Sequence, residues 1–169
     1  PEDYLLEVAQ RVDEYQGFNL LVGDGQSLWY LHGGAMTKTV EPSIPERLGP
    51  GIYGLSNAAL DVPWPKVQRG REQLARVLAE QTAPTHAQLA ACLSDRSLAN
   101  KDTLLEQDLE GEMARQLSAQ FIVTPRYGTR CCSTLRQQQD RLEFQEQRFD
   151  ARGGLMGTEV FELETLACD

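Results

Sequence analysis

The chain has 169 residues, of which 41% are hydrophobic and 24% charged, and its formal net charge is -9. This composition is typical of a globular domain with a buried core and excludes disorder as the default interpretation. The acidic balance disfavours nucleic acid and anionic membrane surfaces as partners, because both carry negative charge.

Cysteine and histidine usage limits the possible chemistry. The four cysteines are Cys92, Cys131, Cys132 and Cys168, and neither they nor the two histidines have the close spacing of zinc ligands. No stretch reaches the roughly 20 apolar residues that cross a bilayer. We therefore predict reduced thiols, a cytoplasmic location, no metal site and no membrane span.

The first residues predict an amphipathic helix. Leu5, Val8, Val12 and Tyr15 recur at spacings of three and four, which places them on one helical face. Pro1 and the two carboxylates after it suit a first helical turn. The capping residue would precede Pro1, so we expect further sequence upstream. The alternative is a domain that begins at this helix.

A β-hairpin is predicted next. The strands cover residues 18–22 and 27–31, with a Gly-Asp-Gly turn signal between them. A further strand is predicted at residues 36–40. Residues 42–50 contain three prolines and predict a loop. Residues 52–56 predict another short strand.

Helices and then strands are predicted for the rest of the chain. Helices are expected at residues 65–81 and 84–93, and Leu109, Met113 and Leu117 mark a third. Three strands follow at residues 129–136, 141–149 and 158–163. Grouped helices and short strand connections predict an α+β fold with antiparallel sheets, forming a single domain over residues 1–169.

Three segments carry a family resemblance. Residues 17–24 read Gly-Phe-Asn-Leu-Leu-Val-Gly-Asp, and residues 51–57 read Gly-Ile-Tyr-Gly-Leu-Ser-Asn, followed by Leu-Asp-Val-Pro-Trp-Pro-Lys at residues 60–66. Residues 127–130 read Tyr-Gly-Thr-Arg, and Glu-Gln-Arg-Phe-Asp follows at residues 146–150. In order and separation these segments resemble the Asn-Arg-Asp-Glu family, also called the transport and Golgi organization protein 2 family.

The resemblance implies a fold and leaves a gap. The family is similar to N-terminal-nucleophile hydrolases, which implies an αββα sandwich for the complete protein. The family's name-giving Asn-Arg-Asp-Glu tetrapeptide, and the cysteine that follows the initiator Met, do not occur here. We therefore expect this chain to be the C-terminal two-thirds of such a protein, with an incomplete sandwich. Catalysis by the chain as written is not expected, because the nucleophile would be absent.

Two residues are the candidates for supporting catalytic roles. Asn57 follows a predicted strand and can donate hydrogen bonds to a developing oxyanion; the alternative is that it only makes a turn. Arg130, in the Tyr-Gly-Thr-Arg segment, can hold a carboxylate with its forked guanidinium; the alternative is a surface ion pair. Ligand contacts are assigned to Arg130, Thr129 and Trp64; the alternative for Trp64 is a packing anchor beside two prolines. We interpret Cys131 and Cys132 as core packing residues; the alternative is that one of them is a reactive thiolate.

Haem enters through the resemblance, because the family's eukaryotic members are implicated in moving it. His32, His86, Met36 and Met113 can bind iron, but none has a spacing that specifies haem. The leading hypothesis is a hydrolase-like scaffold that binds or traffics a hydrophobic cofactor such as haem. The alternatives are an amidohydrolase that cleaves a non-peptide C–N bond with a terminal cysteine, and a non-catalytic scaffold.

Overall fold

The computed structural model describes residues 1–34, 44–105, 110–138 and 141–164. The chain divides into two compact units, Pro1–Pro63 and Trp64–Asp169. Each unit contains helix and an antiparallel three-stranded sheet, which confirms the α+β class. None of the helices in these ranges is long and apolar enough to cross a membrane.

The first unit places one helix against a small sheet. Its elements are α1 (Glu2–Ala9), a 3-10 helix (Val12–Glu14), β1 (Phe18–Gly23), β2 (Leu28–Gly33) and β3 (Glu46–Leu48). The strand order is β1-β2-β3, and both pairings are antiparallel. Helix α1 packs on β2 and buries Leu5 completely. The predicted helical stripe therefore ends early: Tyr15 lies beyond both helices and is half exposed.

The predicted hairpin between β1 and β2 is confirmed. The carboxylate of Asp24 accepts hydrogen bonds from the backbone N–H groups of Gln26 and Ser27, at 3.1 and 2.8 Å. These bonds lower the pKa of Asp24, that of Ser27 most strongly. Gly25 has a φ of 83°, a conformation that glycine adopts without steric cost. The turn chemistry of the sequence thus sets the register of both strands.

Two predictions around the proline-rich segment are wrong. Residues 46–48 form β3 rather than loop, and pair with residues 28–30. Residues 52–56 are not a strand, because the backbone of Gly54 is satisfied locally. Its N–H donates to Asp61 Oδ1 and its carbonyl accepts from Asp61 N–H, both at 2.7 Å. The predicted strand at residues 36–40 lies outside the described residues.

The second unit groups its helices before its strands. The helices are α2 (Pro65–Glu80), α3 (His86–Ala91), α4 (Lys101–Leu105) and α5 (Gly111–Gln116). The strands are β4 (Cys131–Gln138), β5 (Arg141–Phe149) and β6 (Leu155–Glu164), paired antiparallel in that order. All three predicted strands are confirmed, with shifts at their ends.

Local signals account for the helix starts. Proline opens α2, and Thr85 caps α3 in a capping box with Gln88. The third predicted helix is α5, but its Met113 is 72% exposed, so the apolar spacing does not mark a buried face there. Leu109 lies outside the described residues.

The two faces of the second sheet differ. Helix α3 packs on β4, where Thr134 is buried. The opposite face carries a cross-strand row of Leu135, Phe144 and Phe161, of which Leu135 and Phe161 are exposed. At the end of the sheet, Arg148 pairs with Gly157 and Phe149 with Leu155. One extra residue of β6, Met156, therefore forms a bulge at this point.

Candidate functional site

Asn57 lies on a loop that hydrogen bonds hold in place. The loop spans residues 54–61, and the Asn57 side chain is exposed on it. Asn19 Nδ2 donates to the Ala58 carbonyl at 2.9 Å, and the Leu60 N–H donates to the Tyr30 hydroxyl at 3.0 Å. Together with the two bonds between Gly54 and Asp61, these contacts fix the loop at both ends and in its middle.

A polar cluster inside the first unit supports that loop. Asn19 Oδ1 accepts a hydrogen bond from the Tyr30 hydroxyl at 2.6 Å and lies 3.0 Å from His32 Nδ1. Tyr30 and His32 are both buried. Burial raises the pKa of Tyr30, and the Leu60 N–H partly offsets this rise. Sequence reasoning missed the cluster, although Asn19 is a polar residue within an apolar strand and is a signal for it.

The fixed loop suits the role predicted for Asn57. An exposed amide on a preorganised loop can donate hydrogen bonds without changing its protonation state. Asn57 belongs to the first unit, whereas Arg130, Thr129 and Trp64 belong to the second.

Arg130 lines a surface pocket of about 470 Å³. Its other lining residues come from all three strands of the sheet: Cys131, Glu146, Arg148, Phe149 and Met156. The register positions them, because Cys131 is the cross-strand partner of Arg148 and the Phe149 N–H donates to the Arg130 carbonyl at 2.8 Å. The bulge brings in Met156. The result is two guanidinium groups and one carboxylate beside an aromatic ring, a thioether and a thiol.

The charges of this pocket, which we call the Arg130 pocket, are partly balanced. Arg148 Nη2 forms an ion pair with Glu159 Oε1 at 2.5 Å, with both side chains about half exposed. The pKa of Asp150 is lowered mainly by the Gly154 and Arg152 N–H groups, and the Arg130 charge contributes. An anionic ligand would therefore compete with carboxylates for both arginines.

Thr129 and Trp64 have other contacts, and neither is among the described residues that line the Arg130 pocket. The Thr129 hydroxyl accepts from the Ile122 N–H at 3.0 Å. The Lys66 ammonium lies 5.4 Å from the Trp64 ring centroid and donates to the Leu117 carbonyl at 3.0 Å. Burial lowers the pKa of Lys66. Both residues contribute to local structure, and ligand contact by either stays a prediction.

The side chains that can bind iron differ in access. His32 is 3% exposed, and the His86 side chain is 12% exposed, with its Nδ1 2.6 Å from Thr134 Oγ1. Met113 is exposed on α5, and Met36 lies outside the described residues. In the described ranges no three His, Cys, Asp or Glu residues cluster as metal ligands.

The cysteines also differ in their exposure to solvent. Cys131 is exposed, Cys132 is half-buried and Cys92 is buried, and all three are free thiols. The interpretation of Cys131 as a packing residue is therefore wrong. Successive strand residues point to opposite faces, and Cys131 is on the uncovered one. Burial raises the pKa of Cys132 and of Cys92.

Comparison with known proteins gives a consistent result. Residues 1–151 match the family model described as Transport and Golgi organisation 2. The human protein named Transport and Golgi organization protein 2 homolog is 31% identical over 140 residues, covering 75% of this chain and 48% of the human protein. The bovine protein of the same name is 31% identical over 151 residues, covering 78% and 50%. The chain spans about half the length of the curated relatives it matches.

Proposed function

Because the chain belongs to the Transport and Golgi organisation 2 family, we propose that it is part of a hydrolase-like scaffold that binds or traffics a hydrophobic cofactor such as haem. In this proposal the complete protein has an αββα sandwich and acts in the cytoplasm. The family match and the α+β architecture support the proposal. The haem ligand and the αββα sandwich are the parts that the proposal adds to these observations.

The Arg130 pocket is the observation that carries the proposal. Haem has an apolar macrocycle and two carboxylates at one edge. Arg130 and Arg148 offer two forked cations for carboxylates, and Phe149 and Met156 offer apolar contact beside them. Because Glu146 and Glu159 lie close to these arginines, the attraction is moderate. Moderate attraction suits a cargo that must be released.

The iron ligands available in this chain also favour weak binding. His32 is buried, and His86 is half-buried and already bonded to Thr134 through Nδ1. The Nε2 atom of each ring is buried as well, so neither histidine offers an open ring nitrogen at the surface. In the Arg130 pocket, the Cys131 thiol and the Met156 thioether are the groups that can contact iron. In this pocket the haem carboxylates, bound by the two arginines, would make the main contacts.

Haemin titration of the protein tests this function. We expect a saturable change of the Soret band, with binding weakened roughly fivefold to tenfold by Arg130→Gln or Arg148→Gln, since each removes a charged hydrogen-bond donor. Arg126→Gln, an exposed arginine in the turn before β4, is the matched control and should bind as the wild type does. Equal binding by all three variants, or no saturable change, would contradict the proposal.

The second candidate is an amidohydrolase that acts on a non-peptide C–N bond. The hydrogen-bonded loop around Asn57 favours it, because a fixed amide donor is what an oxyanion requires. A terminal cysteine outside this chain would be the nucleophile.

Covalent labelling distinguishes this candidate. An electrophilic amide probe should label the terminal cysteine of the full-length protein, and Asn57→Ala should slow labelling roughly a hundredfold. An unlabelled terminal cysteine in a folded protein excludes the enzyme. If the protein also fails to bind haemin, the non-catalytic scaffold is the remaining hypothesis.

A further inference from the structure

A second cleft lies between α3 and the sheet, outside the function proposed above. Its volume is about 260 Å³, and its walls include Ala87, Ala91, Arg96, Phe121, Cys132 and Phe149. It shares only Phe149 with the Arg130 pocket. We call it the α3 cleft.

Aromatic and small side chains shape the α3 cleft. Phe121 is 5% exposed and meets Phe149 edge to face, with ring centroids 4.8 Å apart. On the opposite wall, α3 presents alanines, whose short side chains leave the space between helix and sheet open. The half-buried thiol of Cys132 adds to the apolar lining, and Ser94 and Gln147 contribute polar side chains to the same cleft. A flat apolar group matches these walls.

One cation is fixed at the edge of the α3 cleft. Arg96 Nη2 donates to the Gly153 carbonyl at 2.9 Å, and its guanidinium carbon lies 4.7 Å from the centroid of the Phe121 ring. Among the residues that the structure describes, no carboxylate forms an ion pair with Arg96. The neighbouring Asp95 pairs instead with Arg69 at 2.9 Å. In a chain with a net charge of -9, a guanidinium that pairs with no described carboxylate and lies beside an apolar cleft is complementary to an anion.

We propose that the α3 cleft binds a small organic carboxylate with a flat apolar body. The carboxylate contacts Arg96, which has N–H groups beyond the one given to Gly153. The body lies against Phe121, Phe149 and the alanines of α3. Convergence of one charged group and several apolar walls is the usual composition of a small-molecule site.

The adjacent cysteines provide an internal control for this site. Cys132 lines the α3 cleft and Cys131 lines the Arg130 pocket. A ligand in the α3 cleft should therefore shield Cys132 and leave Cys131 reactive. Alkylation by iodoacetamide, with tandem mass spectrometry to assign each thiol, reads both positions in one sample.

Benzoate is the ligand used to probe the α3 cleft, and benzamide, which has the same ring but no charge, is the control compound. We expect millimolar benzoate to slow alkylation of Cys132 without changing Cys131, and benzamide to have little effect. Arg96→Gln should weaken benzoate binding at least about tenfold, because it removes a charged hydrogen-bond donor. Arg96→Lys should retain part of it, and Arg115→Gln on α5 should match the wild type.

A second variant keeps the test decisive if Arg96→Gln disturbs packing against Phe121. Ala91→Leu adds bulk from an exposed helix position and leaves Arg96 in place. We expect it to fold normally by circular dichroism and to lose benzoate protection of Cys132. Equal protection by benzoate and benzamide, protection of Cys131 as well, or unchanged protection in a folded Ala91→Leu protein would each overturn the proposal.

Discussion

The two sheets of the protein use polar side chains in opposite ways. In the first unit, Asn19, Tyr30 and His32 are turned inward, where they join strands to the loop that carries Asn57. In the second unit, charged pairs such as Arg148–Glu159 lie exposed on the sheet surface. Buried hydrogen bonds are costly to lose, whereas exposed ion pairs contribute little. The loop should therefore be rigid and sensitive to mutation, and the Arg130 pocket adjustable.

The largest effect is expected from Asn19→Ala. The substitution removes bonds to Tyr30, His32 and the Ala58 carbonyl, and should lower the free energy of unfolding by about 3 kcal/mol. Urea unfolding measures this. Asn57→Ala is the matched asparagine control, and because that side chain is exposed its effect should stay within about 0.5 kcal/mol. Equal effects of the two variants would remove the contrast between buried and exposed polar groups.

Tyr30→Phe should have the next largest effect, about 1.5 kcal/mol, because only the hydroxyl bonds to Asn19 and Leu60 are lost. It also has a pH signature. Burial raises the pKa of Tyr30 in the folded protein. The Tyr30 hydroxyl therefore makes its full contribution to the free energy of unfolding below the unfolded pKa of about 10, and this contribution is lost as the pH rises through the folded pKa. The stability difference between wild type and variant should shrink above about pH 10. A constant difference across that range would contradict the assignment.

Thr134→Val tests the most buried polar contact of the second sheet. It removes the hydroxyl that lies 2.6 Å from His86 Nδ1, between β4 and α3. We expect a loss of about 1 kcal/mol in thermal or urea unfolding. Ser133→Ala, one residue earlier on the uncovered face, should change stability by less than half as much. A larger effect for Ser133→Ala would mean that the covered face is not the stabilising one.

The smallest stability effect is expected for Glu159→Gln. An exposed pair contributes less than about 0.5 kcal/mol, so unfolding should hardly change. Ligand binding should respond more, because Arg148 loses its competing carboxylate. We expect haemin affinity to rise roughly twofold to fivefold. Unchanged affinity alongside weaker binding by Arg148→Gln would show that Glu159 does not compete with the ligand.

Local signals predicted most of the fold, and contacts between distant residues explain the errors. The Gly-Asp-Gly turn, Pro65 at the start of α2 and the strand-rich end of the chain were sufficient for their elements. The strand predicted at residues 52–56 does not form, because Asp61 bonds to the backbone of Gly54 and keeps that segment a loop. Pairing with β2 likewise outweighed the prolines around β3.

The candidate sites were less predictable for the same reason. Arg130 was identified by its segment, but Arg148 and Met156 join it only through the register of three strands. The α3 cleft depends on Phe121, Phe149 and Arg96, which are far apart in sequence. No local pattern indicates that Arg96 lies over a phenylalanine ring or that Asp95 pairs elsewhere.

The bulge in β6 has a consequence for how this protein can vary. Met156 sits between two cross-strand pairs, Arg148 with Gly157 and Phe149 with Leu155, and both are formed without it. Deleting that single codon would leave the pairs on either side able to form. The sheet can thus tolerate a change in length at one position, and a thioether can be gained or lost beside Arg130 without redesign of the strands around it.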